Sequence, residues 1–113
     1  MALAEPAVIA GYHAHIYYDD ASRPVASILR GAIEQRFDVV MGRWRDEPVG
    51  PHPQAMYQVA FAPGLFDELV PWLMLNHAGL VVLIHPRSGD DLFDHSEAAL
   101  WLGNKLDLDL SVL

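Results

Sequence analysis

The chain has 113 residues, of which 52% are hydrophobic and 19% charged, so it can bury a core and is expected to form one domain over residues 1–113. Fifteen acidic residues against seven basic ones give a net charge of −8, which repels phosphate backbones and anionic membranes. Binding to nucleic acid or to a membrane is therefore not expected. The start, MALAEPAVIAG, lacks the basic region of a secretory signal, so a cytoplasmic location is expected.

Hydrophobic periodicity predicts alternating strands and helices between about residues 12 and 103. In chain order, the predictions are a strand at 12–18, a helix at about 22–37, strands at 37–44 and 56–61, a helix from about 68 to 76, a strand at 80–85 and a helix at 94–102. Pro71 places the expected start of the second helix near Glu68, because proline disrupts a helix interior. The spacing of Asp94 and Glu97 suits a capping box for the last helix.

This order, β-α-β-β-α-β plus a C-terminal helix, is the ferredoxin-like plan of an α+β protein. Both helices would cover one face of an antiparallel sheet and leave the other face open. Val39, Met41, Val81 and Leu83 are expected on that open face. An apolar face of this kind favours aggregation, so a homodimer that closes two sheets into an α+β barrel is predicted. The tail, 104–113, is expected to form an edge strand or to pack across the partner.

Histidines dominate the candidate site, and there are no cysteines to act as nucleophiles or zinc ligands. Strand alternation puts His13 and His15 on one face, with Ala14 and Ile16 on the other. In the predicted topology His85, at the end of the fourth strand, lies beside them. Three converging imidazoles predict a metal site, although all three could instead be polar strand-end residues. A carboxylate ligand from Asp91, Asp94 or Glu97 is the alternative to an all-histidine set.

The remaining histidines receive other roles. His52 lies between two prolines in GPHP, and His95 is expected in the first turn of the last helix, where the helix dipole disfavours a charged imidazolium. Both are candidate acid/base residues, or surface residues without a role. His77 in LNHAG is interpreted as structural. Arg43 and Arg45 either bind a substrate carboxylate or form a solvated strand end.

The motifs YHAHIYY, GPHPQAMYQVAF and VVLIHPRSGDDLFDHSEAALWLG, taken in this order, resemble the Dopa 4,5-dioxygenase family over about Tyr12 to Gly103. The resemblance implies extradiol cleavage of a catechol, such as L-DOPA or a related hydroxycinnamate, with non-haem Fe(II) and O2. Zinc or manganese could replace the iron in the purified protein. A non-catalytic dimer that binds metal or a small ligand and keeps the fold is the alternative function.

Overall fold

The computed structural model describes all 113 residues. The strands and α-helices are, in chain order, β1 (Tyr12–Tyr18), α1 (Arg23–Arg36), β2 (Val40–Met41), β3 (Ala55–Phe61), α2 (Phe66–Asn76), β4 (Val82–Pro86), α3 (Asp91–Asp94) and β5 (Leu100–Leu102). Short 3-10 turns occur at Pro6–Val8, Pro63–Leu65 and Leu110–Val112. None of the helices is long and apolar enough to cross a lipid bilayer.

The five strands form one antiparallel sheet in the order β2-β3-β1-β4-β5. The first four strands follow the predicted ferredoxin-like order, and β1 lies at the centre. Its register with β4 pairs His13 with His85 and Tyr12 with Pro86. The predicted meeting of the start of the first strand with the end of the fourth is therefore confirmed.

One face of the sheet carries α1 and α2. Alternate β1 side chains, Ala14, Ile16 and Tyr18, point to this face and belong to a cluster of 15 buried residues. The two helices add apolar side chains at helical spacing, namely Ala26, Leu29, Ile33, Leu69, Val70 and Leu73. Because full burial of one such large aliphatic side chain contributes about 1.5–3 kcal/mol, this layer supplies most of the driving force for folding.

The second helix begins at Phe66, two residues before the expected start, and contains Pro71. Proline removes one intrahelical donor, but Pro71 is exposed, so water can satisfy the carbonyl that lacks a partner. Buried Leu69 and Leu73 outweigh this loss. His77, the residue after the helix, donates from Nδ1 to the carbonyl of Leu80 at 2.7 Å, which fits its expected structural role.

The prediction of a last helix over 94–102 is wrong. Helix α3 has four residues, and Leu100–Leu102 form β5 on the free edge of β4. Pairing at this edge satisfies backbone groups and lets Leu102 and Trp101 pack on opposite faces of the sheet, which a helix could not do. Asp90, and not Asp94, accepts the capping bond, from the backbone N–H of Phe93.

The second strand is shorter than the predicted 37–44. Only Val40 and Met41 pair continuously with β3, and one further bridge joins Arg45 to Met56. Val39 and Met41 pack against the helix-side core, contrary to their predicted place on the open face. Val81 and Leu83 do lie on the open face. Met41 pairs with Val59, and this pair points to the helix side.

The tail covers part of the open face of its own sheet. Leu106 and Leu108 pack against a small cluster formed by Tyr17, Met56 and Leu83. The tail contains no strand, and its anchor is a hydrogen bond from the backbone N–H of Asp109 to the carbonyl of Pro51 at 2.9 Å. The prediction of an edge strand is therefore wrong, and the apolar surface that suggested a dimer is partly covered within one chain.

A homodimer stays a prediction. Both outer strands keep unpaired edges, and they expose Val40 and Leu100. Edges of this kind favour pairing with a second copy. Light scattering at micromolar concentration is expected to give twice the chain mass of 12.6 kDa. A particle of 12.6 kDa would contradict the prediction.

Candidate metal centre

Strand pairing brings three imidazoles together on the open face. His13 and His15 are two residues apart on β1, and His85 on β4 lies directly opposite His13. One ring nitrogen of each residue lies within 4.8 Å of those of the other two. The predicted convergence of His13, His15 and His85 is thus observed, while their role as ligands stays a prediction.

The spacing of two of these nitrogens fits a shared cation. The Nε2 atoms of His15 and His85 are 3.0 Å apart. Two nitrogens that bind one divalent metal at about 2.1 Å and at right angles to each other are about 3.0 Å apart. In the metal-free protein the same separation allows one imidazole to donate a hydrogen bond to the other.

The second ring nitrogen of each residue tests the fit further. His85 donates from Nδ1 to the carbonyl of Pro86 at 2.9 Å, which leaves the Nε2 lone pair directed at His15. A backbone carbonyl bound in this way orients histidine ligands in metal proteins. The Nδ1 atom of His15 is buried without a partner, so His15 lacks this support.

Burial keeps the three imidazoles in the neutral form that binds metals. Burial lowers the pKa of His15 well below its ordinary value, and the neighbouring imidazole of His52 lowers it further. Burial also lowers the pKa of His85 to about 4. The pKa of His13 is lowered by burial and then by the guanidinium of Arg87.

The carboxylates proposed as alternative ligands differ in their availability. Asp94 is buried, but its oxygens accept hydrogen bonds from the backbone N–H and hydroxyl of Ser88. Glu97 is exposed and does not line the cavity above the histidines, whereas Asp91 does. The group of ligand atoms within 4.8 Å of one another contains histidines alone, which supports the all-histidine set.

His52 and His95 lie over this group on two sides. The ring of His52 is 4.2 Å from that of His15, and the ring of His95 is 4.0 Å from that of His85. His52 also forms a 2.6 Å hydrogen bond between its Nδ1 and the hydroxyl of Tyr17. Five of the six histidines therefore form one cluster, as their predicted roles require.

The expected place of His95 at a helix N-terminus is wrong, because it follows the last residue of the four-residue helix α3. The helix dipole consequently gives no reason for a neutral ring there. A different feature defines its chemistry: Nδ1 donates to the carbonyl of Asp91 at 2.7 Å and leaves Nε2 as an acceptor. His95 nevertheless lies beside the other histidines and lines the same cavity.

A cavity of about 530 Å³ opens above the imidazoles, and we call it the histidine cavity. It is lined by His13, His15, His52, His85 and His95, and its volume suits a small aromatic molecule. Sequence reasoning missed Gln58, Arg87 and Ser88 in its walls. Gln58 had a usable signal, because it is the one polar residue enclosed in the apolar run AMYQVAF and it pairs opposite His15.

The fold and the cavity define an α+β protein with a histidine-rich candidate metal centre. Its family follows from comparison with known proteins: the model of the Dopa 4,5-dioxygenase family matches residues 12–112. The chain belongs to this family, which confirms the resemblance seen in its motifs.

Individual relatives agree with this assignment. A DOPA 4,5-dioxygenase of Amanita muscaria is 31% identical over 90% of this chain and 49% of its own length. An uncharacterized 21.2 kDa protein of Botryotinia fuckeliana is 34% identical over 90% of this chain and 62% of its own length. The chain thus spans only 49% and 62% of the lengths of these two relatives.

A solved structure is also similar. The crystal structure of a Nostoc punctiforme protein, provisionally described as a dioxygenase, is 52% identical with a TM-score of 0.96. The match covers 97% of this chain and 96% of that protein. The family, the Amanita protein and the Nostoc protein are each described as dioxygenases, a class of oxidoreductase.

The first prediction for this site concerns metal retention. Replacing His15 with Ala removes the nitrogen nearest to His85, so bound divalent metal should fall at least about 10-fold. Metal analysis of protein purified without oxygen measures this directly. His77→Ala is the matched control, because His77 lies outside the cluster. Full metal occupancy in His15→Ala would exclude His15 as a ligand.

The second prediction concerns the stability of the metal-free protein. Between about pH 6.5 and pH 4 the unfolded chain protonates His85, while the folded chain keeps it neutral. The free energy of unfolding should therefore fall as the pH falls through this window, by about 1.4 kcal/mol per pH unit for each such group. Urea denaturation at several pH values measures the slope. A His85→Gln variant should show a shallower slope. An unchanged slope would mean that His85 is not the group responsible for the pH dependence.

Proposed function

We propose that the protein is an extradiol ring-cleaving dioxygenase that opens a catechol, such as L-DOPA or a related hydroxycinnamate, with ferrous iron and O2. The observation that carries the proposal is the convergence of His13, His15 and His85 in a cavity of about 530 Å³ in a member of this family. His13, His15 and His85 would hold the metal. A ferrous ion held by three protein ligands supplies open positions at which the catechol oxygens and O2 bind side by side.

The histidine cavity must also handle protons, because a catechol loses protons before it can bind a metal through both oxygens. His95 suits the role of proton acceptor. Its Nδ1–H is held by the carbonyl of Asp91, so the free Nε2 carries a lone pair. The ring lies 4.0 Å from that of His85, which places it beside the proposed metal ligands.

His52 has the opposite character. Burial raises the pKa of Tyr17, so its hydroxyl stays protonated, and the only hydrogen-bond partner of that hydroxyl is Nδ1 of His52. If Tyr17 donates this bond, the proton of the neutral His52 ring is on Nε2, which makes His52 a hydrogen-bond donor. Burial lowers the pKa of His52 to about 4, so the ring gives up a proton readily once it has gained one.

The two histidines therefore form an acceptor and a donor on either side of the proposed ligands, with ring centres 6.4 Å apart. Such a pair can take a proton from a substrate hydroxyl and return one to the product. The histidine cavity is partly enclosed, and His15 and His52 are both buried, which limits the access of water to the reacting groups.

A direct assay tests the function. Protein purified without oxygen and supplied with ferrous iron is incubated in air with L-DOPA or caffeate. A yellow product of the muconic-semialdehyde type is expected, and its identity by mass spectrometry reports the position of cleavage. Metal analysis separates iron from zinc or manganese. Tight metal binding without turnover of any catechol would favour the alternative, a metal-binding protein without catalysis.

Variants of the two proton-handling residues test their roles. His52→Gln and His95→Gln should each bind metal normally and lose turnover by about 10²- to 10⁴-fold, the usual contribution of a general acid or base. His77→Gln is the control for a histidine outside the cavity. Unchanged turnover in both cavity variants would refute the roles, and loss of metal would reassign them as ligands.

A further inference from the structure

The basic residues of this acidic protein are concentrated around its cavities. Three of the seven, Arg43, Arg45 and Arg87, line the histidine cavity or the cavity next to it. The neighbouring cavity, which we call the arginine cavity, has a volume of about 260 Å³ and contains Arg43 and Arg45. The two cavities share the side chains of His52 and Gln58, so they are contiguous.

Arg43 and Arg45 have no anionic partner, unlike Arg23 and Arg30. The two ion pairs of the chain are Arg23–Asp46 and Arg30–Glu34. The carboxylate closest in sequence, Asp46, is already bound by Arg23 and by the hydroxyl of Tyr18. Two unpaired guanidinium groups at one cavity, in a protein of net charge −8, indicate a binding site for an external anion.

The backbone between residues 42 and 46 is held firmly. Arg30 donates to the carbonyl of Gly42 at 2.8 Å, and Arg45 and Met56 exchange two backbone hydrogen bonds of 2.9 and 3.0 Å. Trp44 packs into the helix-side core beneath the guanidinium of Arg23, 4.1 Å from the ring centre. A binding group on such a segment needs little ordering when the ligand arrives.

The same contacts fix the direction of the two arginines. Directly paired residues of antiparallel strands point to one face, and Met56, the partner of Arg45, belongs to the open-face cluster. Arg45 therefore projects from the open face, and Arg43 lines the same cavity as Arg45, Met56 and Gln58, whereas Trp44 packs into the helix-side core. Both arginines lie on the face that carries the histidine cluster.

The register gives the reach from this pair to the histidines. The backbone N–H of Gly42 donates to the carbonyl of Gln58, and Gln58 pairs with His15 on the next strand. Gly42 therefore lies two strand spacings from His15. Two spacings amount to about 10 Å. A benzene ring with a short side chain can bridge this distance, with its diol at the histidines and its acidic group at the arginines.

We propose that Arg43 and Arg45 form the subsite that binds the side-chain carboxylate of the substrate, and that this pair makes the protein prefer an acid over its uncharged analogue. For the position of the ring this inference rests on the proposed function. Arg87 lines the histidine cavity but not the arginine cavity, so it is not part of this subsite. The pair thus selects the substrate by its side chain, while the histidines act on its ring.

Binding without turnover tests the subsite. Titration calorimetry without oxygen compares 3-phenylpropanoate and 3-(3,4-dihydroxyphenyl)propanoate with their methyl esters, which lack the charge. The wild-type protein should bind each acid about 10- to 100-fold more tightly than its ester, as expected for charge-assisted hydrogen bonds. In the Arg43→Gln/Arg45→Gln variant this ratio should fall to near one, while the affinities for the esters stay unchanged.

Arg36→Gln is the control for a change of net charge, since Arg36 stacks over Trp72 on the helix side, away from both cavities. The ratio should persist in this variant and in Arg87→Gln. An unchanged ratio in the double variant, an equal loss in Arg36→Gln, or a loss in Arg87→Gln instead would overturn the proposal. Binding of 3-phenylpropanoate, which has no diol, reports on the subsite independently of ring cleavage. Selectivity for the acids without cleavage of any catechol would refute the dioxygenase activity but not the subsite. Cleavage without selectivity for the acids would refute the subsite but not the activity.

Discussion

The antiparallel register between β1 and β4 is the constraint on which the candidate site depends. It pairs His13 with His85 and so assembles three imidazoles from two segments 70 residues apart. A slip of one residue would turn His13 and His15 toward the helices and Ala14 toward the cavity. The fully buried Ala14 and Ile16 prevent this slip, because the helix-side core leaves no room for polar rings in their places.

Clustering five histidines costs stability in the free protein. Burial of His15, His52 and His85 removes their nitrogens from water, and Nδ1 of His15 has no partner to compensate for this. Apolar packing on both faces of the sheet offsets the cost, including the packing of Leu106 and Leu108 against the cluster that contains Tyr17. Buried nitrogens without hydrogen-bond partners lower the stability of the protein, and a bound cation would relieve this cost. Functional sites commonly reduce stability in this way.

The successes and failures of sequence reasoning divide along a physical line. The first strand, 12–18, was predicted with its bounds and its faces because strict alternation of histidine and apolar residues depends only on backbone geometry. The helix expected over 94–102 failed because Leu100–Leu102 gain more by pairing with the edge of β4 than by continuing a helical turn. Val39 and Met41 were assigned to the wrong face, since the length and twist of a two-residue strand are set by its neighbours.

The sequence by itself determined the class of fold, the family and the identity of the histidines, because these depend on local periodicity and on motifs that are contiguous in the chain. Only the tertiary structure decided which nitrogens meet, which histidine donates and which accepts, and that Gln58 and Arg87 share their cavity. It also decided that Arg43 and Arg45 lie beside that cavity without anionic partners. Distances, burial and hydrogen-bond partners arise from segments far apart in the chain, and no local pattern of residues encodes them.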